Sequence, residues 1–197
     1  MVRLPALHIE DQVFPKRCGH LDGKELLSAE DFAQKVRLCA RASQEVSNGA
    51  FIVCARTDAR GVMGLEETIR RSKLYIDAGA DMIFPEGLAS RDEFKTVARA
   101  LKQHKPDVFL LANMTEFGKT PYITHNEFTE YGYSCVIYPV STLRVAMKAV
   151  DEMLDELKTT GTLEGQLPHM QTRKELYSAL HYVPGEEWYY PSSTKKN

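Results

Sequence analysis

Five consecutive residues, Lys16-Arg17-Cys18-Gly19-His20, put a thiol among two cations and an imidazole. Cations beside a cysteine hold its thiolate, or let the thiol hand over a proton on demand. A glycine at position 19 lets the backbone come close to a ligand. The stretch follows a short apolar run that ends in acids, Leu7-His8-Ile9-Glu10-Asp11-Gln12. The same five residues also read as a solvated basic loop with an incidental cysteine, because most free cysteines are buried and inert. A Cys18–His20 dyad for acyl transfer is disfavoured: the two are only two positions apart and no oxyanion hole is visible. His8 reads as a core or pocket-wall histidine, turned away from the neighbours of Glu10, rather than as a base.

The elements that must position this loop follow from apolar periodicity. Ala6–Glu10 is expected as a buried strand, and the long stretch Asp11–Leu27 as an ordered, functional loop. Ser28 with Asp31 makes an acidic variant of the capping box, and Phe32, Val36, Cys39 and Ala40 then repeat at helical spacing up to Gly49. Phe51–Ala55 is a continuous apolar run, as a parallel strand covered on both faces requires, and it ends in Arg56-Thr57-Asp58. Leu65, Ile69 and Ile76 mark the next helix, with Gly79 as its stop. Met82–Phe84 is a third strand, ending in Pro85-Glu86. Ser90 and Glu93 suggest a second capping box, before a helix lined by Phe94, Val97, Ala98 and Leu101. Val108–Ala112 is a fourth strand, ending in Asn113-Met114-Thr115. Thr124 and Glu127 cap a short helix, and Cys135–Tyr138 is a fifth strand that ends at Pro139. Leu143, Met147, Val150, Leu154 and Leu157 line a longer helix that stops near Gly161. Arg173–Leu180 is expected to be helical, and Val183–Asn197 to be an irregular tail that could pack on a neighbouring subunit.

Strand followed by helix, five times over, means a parallel sheet with crossover helices. Polar residues gather just after each strand, where (β/α)₈ barrels place their active sites. Such barrels use about 250 residues, or roughly 31 per unit, so five units need about 155. The span from Ala6 to Gly161 offers close to that. The expectation is therefore an α/β chain of about five units of a TIM barrel plus carboxyl-terminal helices, in one amino-terminally incomplete domain over residues 1–197. The alternative is an open, doubly wound five-stranded sheet.

Composition narrows the function classes. The net charge of -2 gives no reason to expect a nucleic-acid partner or a membrane surface, and 43% hydrophobic residues can build a core. No apolar run approaches the roughly 18 residues of a membrane-spanning helix. The first residues are too short for a signal peptide and run straight into a strand, and Thr194-Lys195-Lys196-Asn197 matches no peroxisomal address. The four cysteines (Cys18, Cys39, Cys54 and Cys135) lie far apart with no C-x-x-C pair, against a zinc site or a disulfide framework. The default compartment is the cytosol, with mitochondria left open for a longer form.

The motifs together resemble the isocitrate lyase and phosphoenolpyruvate mutase superfamily. They are the Cys18 loop after Glu10-Asp11, Arg56-Thr57-Asp58-Ala59, Phe84-Pro85-Glu86, Asn113-Met114-Thr115-Glu116, Tyr138-Pro139 and Met170-Gln171-Thr172-Arg173. Their order is the family order, and the Cys loop marks the lyase branch that cleaves 2-methylisocitrate and 2,3-dimethylmalate. The resemblance implies a (β/α)₈ barrel entered at its fourth strand and carried to its eighth. It implies a magnesium-dependent retro-aldol cleavage of a 2-methylisocitrate or 2-alkylmalate type substrate, with Cys18 as general acid beside Lys16, Arg17 and His20. Arg56 would clamp a substrate carboxylate, and Arg144 and Arg173 would make further contacts. Asn113 and Thr115 would donate hydrogen bonds, Gly19 and Met114 would line the site, and Glu86 would order the arginines or a substrate hydroxyl. Glu10 would meet the metal only through water. The family's Ser-Gly-Gly loop and its metal-binding aspartates have no counterpart here, so magnesium binding by this chain is doubtful.

Each role has a plainer rival. Arg56 with Asp58 could be a strand-end ion pair, Glu86 a loop cap, and Asn113 an Asx turn. Glu10 and Asp11 could be a hydrogen-bonded strand end, while Arg144 and Arg173 could sit on exposed helix surfaces. Rival functions are oxaloacetate hydrolysis, against which Pro139 counts because such hydrolases tend to have serine near that position, and a shortened non-catalytic subunit. The expected partners are a small di- or tricarboxylate and other chains, as a homo-oligomer (a tetramer in the family) or with a fuller relative.

Overall fold

Each apolar run of the sequence pairs with the next one along the chain. The computed structural model describes residues 6–185, and within them lie β1 (Ala6–Glu10), β2 (Ile52–Thr57), β3 (Met82–Pro85), β4 (Phe109–Asn113) and β5 (Cys135–Ile137). They form one parallel sheet in the order β1-β2-β3-β4-β5. A doubly wound sheet reverses its strand order at a switch point; this one never does, which removes the open-sheet alternative. Among the described strands, β1 has a neighbour only on the side of β2, and β5 only on the side of β4.

The crossovers are α1 (Ala29–Ser47), α2 (Arg60–Met63) with α3 (Leu65–Asp77), α4 (Arg91–His104) and α5 (His125–Tyr131). The expected Leu65 helix is thus preceded by a single extra turn, and Gly64 at φ +91° separates the two. Caps sit where the sequence puts them. Ser28, Ser90 and Thr124 each accept the backbone N–H three residues on. Of these three, only Thr124–Glu127 is a full capping box. The Glu93 carboxylate accepts instead from the Ala89 N–H at 2.7 Å and from Arg60, so the second expected box is half formed.

Strand alternation divides the side chains between two faces. Ala55, Ile83, Leu110 and Ala112 enter the core with Phe32, Val36, Tyr75, Phe94 and Leu101 from the helices. Cys54, Phe84 and Leu111 occupy the other face, against Met82, Cys135 and Ile137. Burial pushes the Cys54 thiol up to about 12, so it is an inert core residue. The strand limits shift by a residue or so from expectation: β2 runs on through Arg56 and Thr57, and β5 stops before Tyr138.

The chain divides into two compact units, Met1–Thr142 and Leu143–Asn197. In the second, α6 (Ser141–Thr160) carries the expected row Leu143, Met147, Val150, Leu154 and Leu157, all exposed. A 3₁₀ turn, Glu164–His169, replaces part of the expected loop. It is tied to α6 by Glu156, which accepts from the Gly165 N–H at 2.9 Å and from Gln166 Nε2 at 2.6 Å. α7 (Arg173–Ala179) starts at a full capping box made by Thr172 and Glu175. The expected irregular tail falls mostly outside the described residues. No described helix is long and apolar enough to cross a membrane.

Candidate active site

Glu10 and Arg56 are register partners on adjacent strands, so their side chains leave the same face of the sheet. Arg56 Nε lies 3.2 Å from Glu10 Oε2. Its Nε and Nη2 donate to the two oxygens of Asp58 at 2.8 and 3.0 Å, and Nη1 stands 3.7 Å from Glu86 Oε2. The guanidinium lies over the Phe84 ring, 5.0 Å from its centre. Burial would lower the Arg56 pKa, but Asp58, Glu86 and Glu10 outweigh it and raise it, so the group stays charged. The fork expected for a substrate carboxylate is therefore occupied by Asp58, as in the ion-pair alternative, and Nη1 is the end turned towards Glu86.

Glu86, buried two residues beyond Phe84, collects several donors. Asn113 Nδ2 lies 3.2 Å from each of its oxygens, and His20 Nε2 lies 3.1 Å from Oε1. Burial raises the Glu86 carboxyl; His20, Arg56 and Asn113 more than offset it and hold it below the usual carboxylate range. Two buried atoms here lack a hydrogen bond. Asn113 Oδ1 has no donor, and the His20 Nε2–H, though close to Glu86, does not point along the line to its oxygen.

The Cys18 loop is laid onto these strand ends. Gln12 fixes its start by exchanging hydrogen bonds with the backbone of Arg17, at 2.9 and 3.0 Å. Gly19 is buried against Glu86 and Arg56. A methyl group there would overlap Glu86 Cγ and stand 2.7 Å from Arg56 Nη2, so only glycine fits. His20 Nδ1 accepts the Lys119 N–H at 3.1 Å, which places the neutral ring's proton on Nε2. Cys18 itself is exposed. Its neighbouring cations are engaged elsewhere: Lys16 with Glu10 at 2.9 Å, and Arg17 Nη1 with the Asp22 carbonyl at 3.4 Å.

Asp11, next to Glu10, points the other way and is fully buried. Its carboxylate accepts from Thr57 Oγ1 at 2.7 Å, the Asp58 N–H at 2.9 Å, Arg71 Nη1 at 3.1 Å and Tyr75 Oη at 2.9 Å. This network pins the ends of β1 and β2, and so sets the positions of Glu10, Arg56 and Asp58. Arg71 and Tyr75 escape a sequence reading, although their i, i+4 spacing on a helix does put both on one face.

The structure therefore brings together Lys16, Gly19, His20, Glu10, Arg56, Glu86 and Asn113. Thr115 is buried just beyond β4, and a methyl group on Gly118 would stand 3.0 Å from its Cγ2. Met114 is placed otherwise than expected. Its side chain lies in the helix-side core, where Sδ accepts the Ile123 N–H at 3.4 Å, because residue 114 alternates away from Asn113. Arg144 and Arg173 belong to the second unit, exposed on α6 and at the start of α7. His8 is turned from the neighbours of Glu10, on the face of Glu10 itself, but it is not a core residue. It is exposed and meets the Phe84 ring edge-on at 5.8 Å.

The residues present do not fit a magnesium ion. That ion needs near-octahedral oxygen ligands, whereas Glu10, Asp58 and Glu86 are already turned onto Lys16, Arg56, Asn113 and His20. Among the described residues no group of three or more metal-binding side chains exists.

Comparison with known proteins agrees with the fold. The phosphoenolpyruvate phosphomutase family matches residues 2–158. A probable 2-methylisocitrate lyase of Corynebacterium glutamicum is 49% identical over 175 residues, 89% of this chain and 55% of that protein. The crystal structure of a 2,3-dimethylmalate lyase is 37% identical and superposes with a TM-score of 0.76, covering 88% of this chain and 55% of its own. An oxaloacetate acetylhydrolase bound to 3,3-difluorooxalacetate is 30% identical with a TM-score of 0.76, covering 91% and 62%. The chain thus spans little more than half the length of the curated relatives it matches, and its sheet is five strands of a partial TIM barrel. It belongs to the phosphoenolpyruvate mutase/isocitrate lyase superfamily.

Proposed function

We propose that this chain carries the cysteine-loop half of a carbon–carbon lyase site for a 2-methylisocitrate or 2-alkylmalate type substrate. The observation that carries the reading is the seating of Gly19 and His20, the two residues that follow Cys18, on Arg56 and Glu86. In a retro-aldol cleavage a base takes the substrate hydroxyl proton, and the carbon–carbon bond breaks. Its electron pair passes into an enolate-like carboxylate. Cys18, exposed on the loop whose next two residues reach the site, then gives its S–H proton to that carbon and is left as thiolate. Asn113 Oδ1, which has no donor, is placed to accept from the substrate, and the His20 Nε2–H, beside Glu86 but without a well-aligned hydrogen bond to it, to donate. Arg56 supplies fixed positive charge for a polyanion. Lyase names among the relatives support the same class. Because the residues present do not fit magnesium, no step is assigned to it.

The test is kinetic. The chain is assayed alone and after fusion to the amino-terminal part of the Corynebacterium relative, on 2-methylisocitrate, 2,3-dimethylmalate and oxaloacetate, with and without magnesium. The chain alone is expected to show no turnover and to associate with itself or another chain, through the sheet edges at β1 and β5. The fusion is expected to cleave one of the first two substrates. Cys18→Ser in the fusion should lower kcat by about 10²–10⁴, the usual weight of acid–base catalysis, with KM little changed. Unchanged turnover sinks the role of Cys18, and turnover of oxaloacetate alone replaces the lyase reading with the hydrolase one.

A further inference from the structure

Lys24 follows the Cys18 loop and is nine-tenths buried. Its ammonium donates to the carbonyl of Gly19 at 2.6 Å and to that of Leu21 at 2.7 Å. Among the described residues no carboxylate lies within ion-pair distance of it. A buried ammonium held by carbonyls alone is a costly arrangement. Space is left for it by Gly61 of α2, where a methyl group would stand 3.0 Å from Nζ.

The two carbonyls are those on either side of His20. The Leu21 N–H closes the same turn onto the Cys18 carbonyl at 2.9 Å. From another direction the Lys119 N–H reaches His20 Nδ1, and Lys119 Nζ pairs with Asp22 at 2.7 Å. Beyond its start at Gln12, the part of the loop around His20 is thus held by one buried amine and by one exposed residue of a different loop. Of the two, only the Lys24 amine is shielded from water, where charge-assisted hydrogen bonds are strongest.

We propose that Lys24 is the positioning residue of the Cys18 loop. By holding both shoulders of His20, its ammonium seats Gly19 against Glu86 and Arg56 and turns the imidazole between Glu86 and Lys119. The catalytic meaning of this rests on the lyase reading above; the positioning itself does not.

The experiment is site-resolved hydrogen exchange and nitrogen NMR of His20 on the 197-residue chain, with Lys24→Met and Gly61→Ala. The methionine keeps the stem and loses the donors, whereas the alanine keeps the lysine and crowds Nζ. In Lys24→Met, amide exchange at Leu21 and Lys119 is expected to rise on the order of tenfold or more. Amides inside β2 and β3 should be unmoved. The His20 ring signals should pass from the single Nε2–H tautomer to the mixture of a solvated imidazole. Gly61→Ala should give a smaller change confined to the same amides, and it decides the matter if Lys24→Met does not fold. Wild-type exchange and wild-type His20 signals overturn the proposal, as does a rise shared equally by the sheet. Neither measurement needs turnover, so the outcome is independent of the lyase assay.

Discussion

Two buried polar networks lie back to back at the carboxyl ends of the strands, and they are finished differently. Around Asp11, Thr57, the Asp58 N–H, Arg71 and Tyr75 all donate, and both carboxylate oxygens are used. Around Glu86, Asn113 Oδ1 and the His20 Nε2–H are left without partners although buried. A closed network of this kind rigidifies a scaffold, and an open one is high in energy until something fills it. The difference teaches which side of the strand ends is frame and which side is site. Glu10 and Asp11, adjacent in sequence, fall on opposite sides of that line because strand residues alternate.

The comparison can be broken hardest from the closed side. Arg71→Met leaves Asp11 as a buried charge short of its main counter-ion. It should lower the unfolding free energy by about 3–5 kcal/mol in urea titration; a loss within experimental error would mean that Asp11 is not structural.

The open side should yield less. Glu86→Gln is expected to cost about 1–3 kcal/mol, because part of that network is already unsatisfied. Its effect should also depend on pH. The folded Glu86 pKa is lowered, so the stabilisation is fully present above the unfolded value, about 4.3. It is lost as pH falls through the lower folded value. The gap between wild type and Glu86→Gln should therefore shrink below about pH 4, and a gap constant down to the acid transition would contradict the assignment.

Gly19→Ala is smaller again, about 1 kcal/mol, the low end of overpacking, since the overlap is with the Glu86 side chain in a network that is already incompletely satisfied. Its signature is local: the Lys119 amide should lose its protection as His20 is displaced. Cys18→Ser should lie within about 0.5 kcal/mol of wild type, because the thiol is exposed. A larger loss would make it a structural residue and undercut its proposed chemistry.

What could be read in the sequence was local. Five apolar runs and three N-caps sit within windows of a few residues, so each strand was legible to within a residue or two, and every crossover helix but the single turn α2 was expected. The residues after the strands could be named as site candidates for the same reason. Alternation decided which of them reach the site, and it sends Met114 into the core beside an Asn113 that stays. The Asp11 network was not legible, because Thr57, Arg71 and Tyr75 meet Asp11 only through tertiary packing. Lys24 was missed because nothing in a Gly-Lys-Glu sequence marks a lysine for burial, and Glu93 because its carboxylate had two nearby donors to choose between.

The sheet's order carries a consequence for how the molecule is made. Strand order is chain order, so on leaving the ribosome each strand finds its only earlier neighbour already synthesised, one β/α unit behind it. No strand waits for a later segment to find its first partner. Parallel pairing across a crossover is slow, but this order lets it proceed from the amino terminus during synthesis. At each moment the growing edge is the newest strand, soon covered by its successor. β1 is different: among the described strands, nothing translated after β2 ever pairs with its outer side.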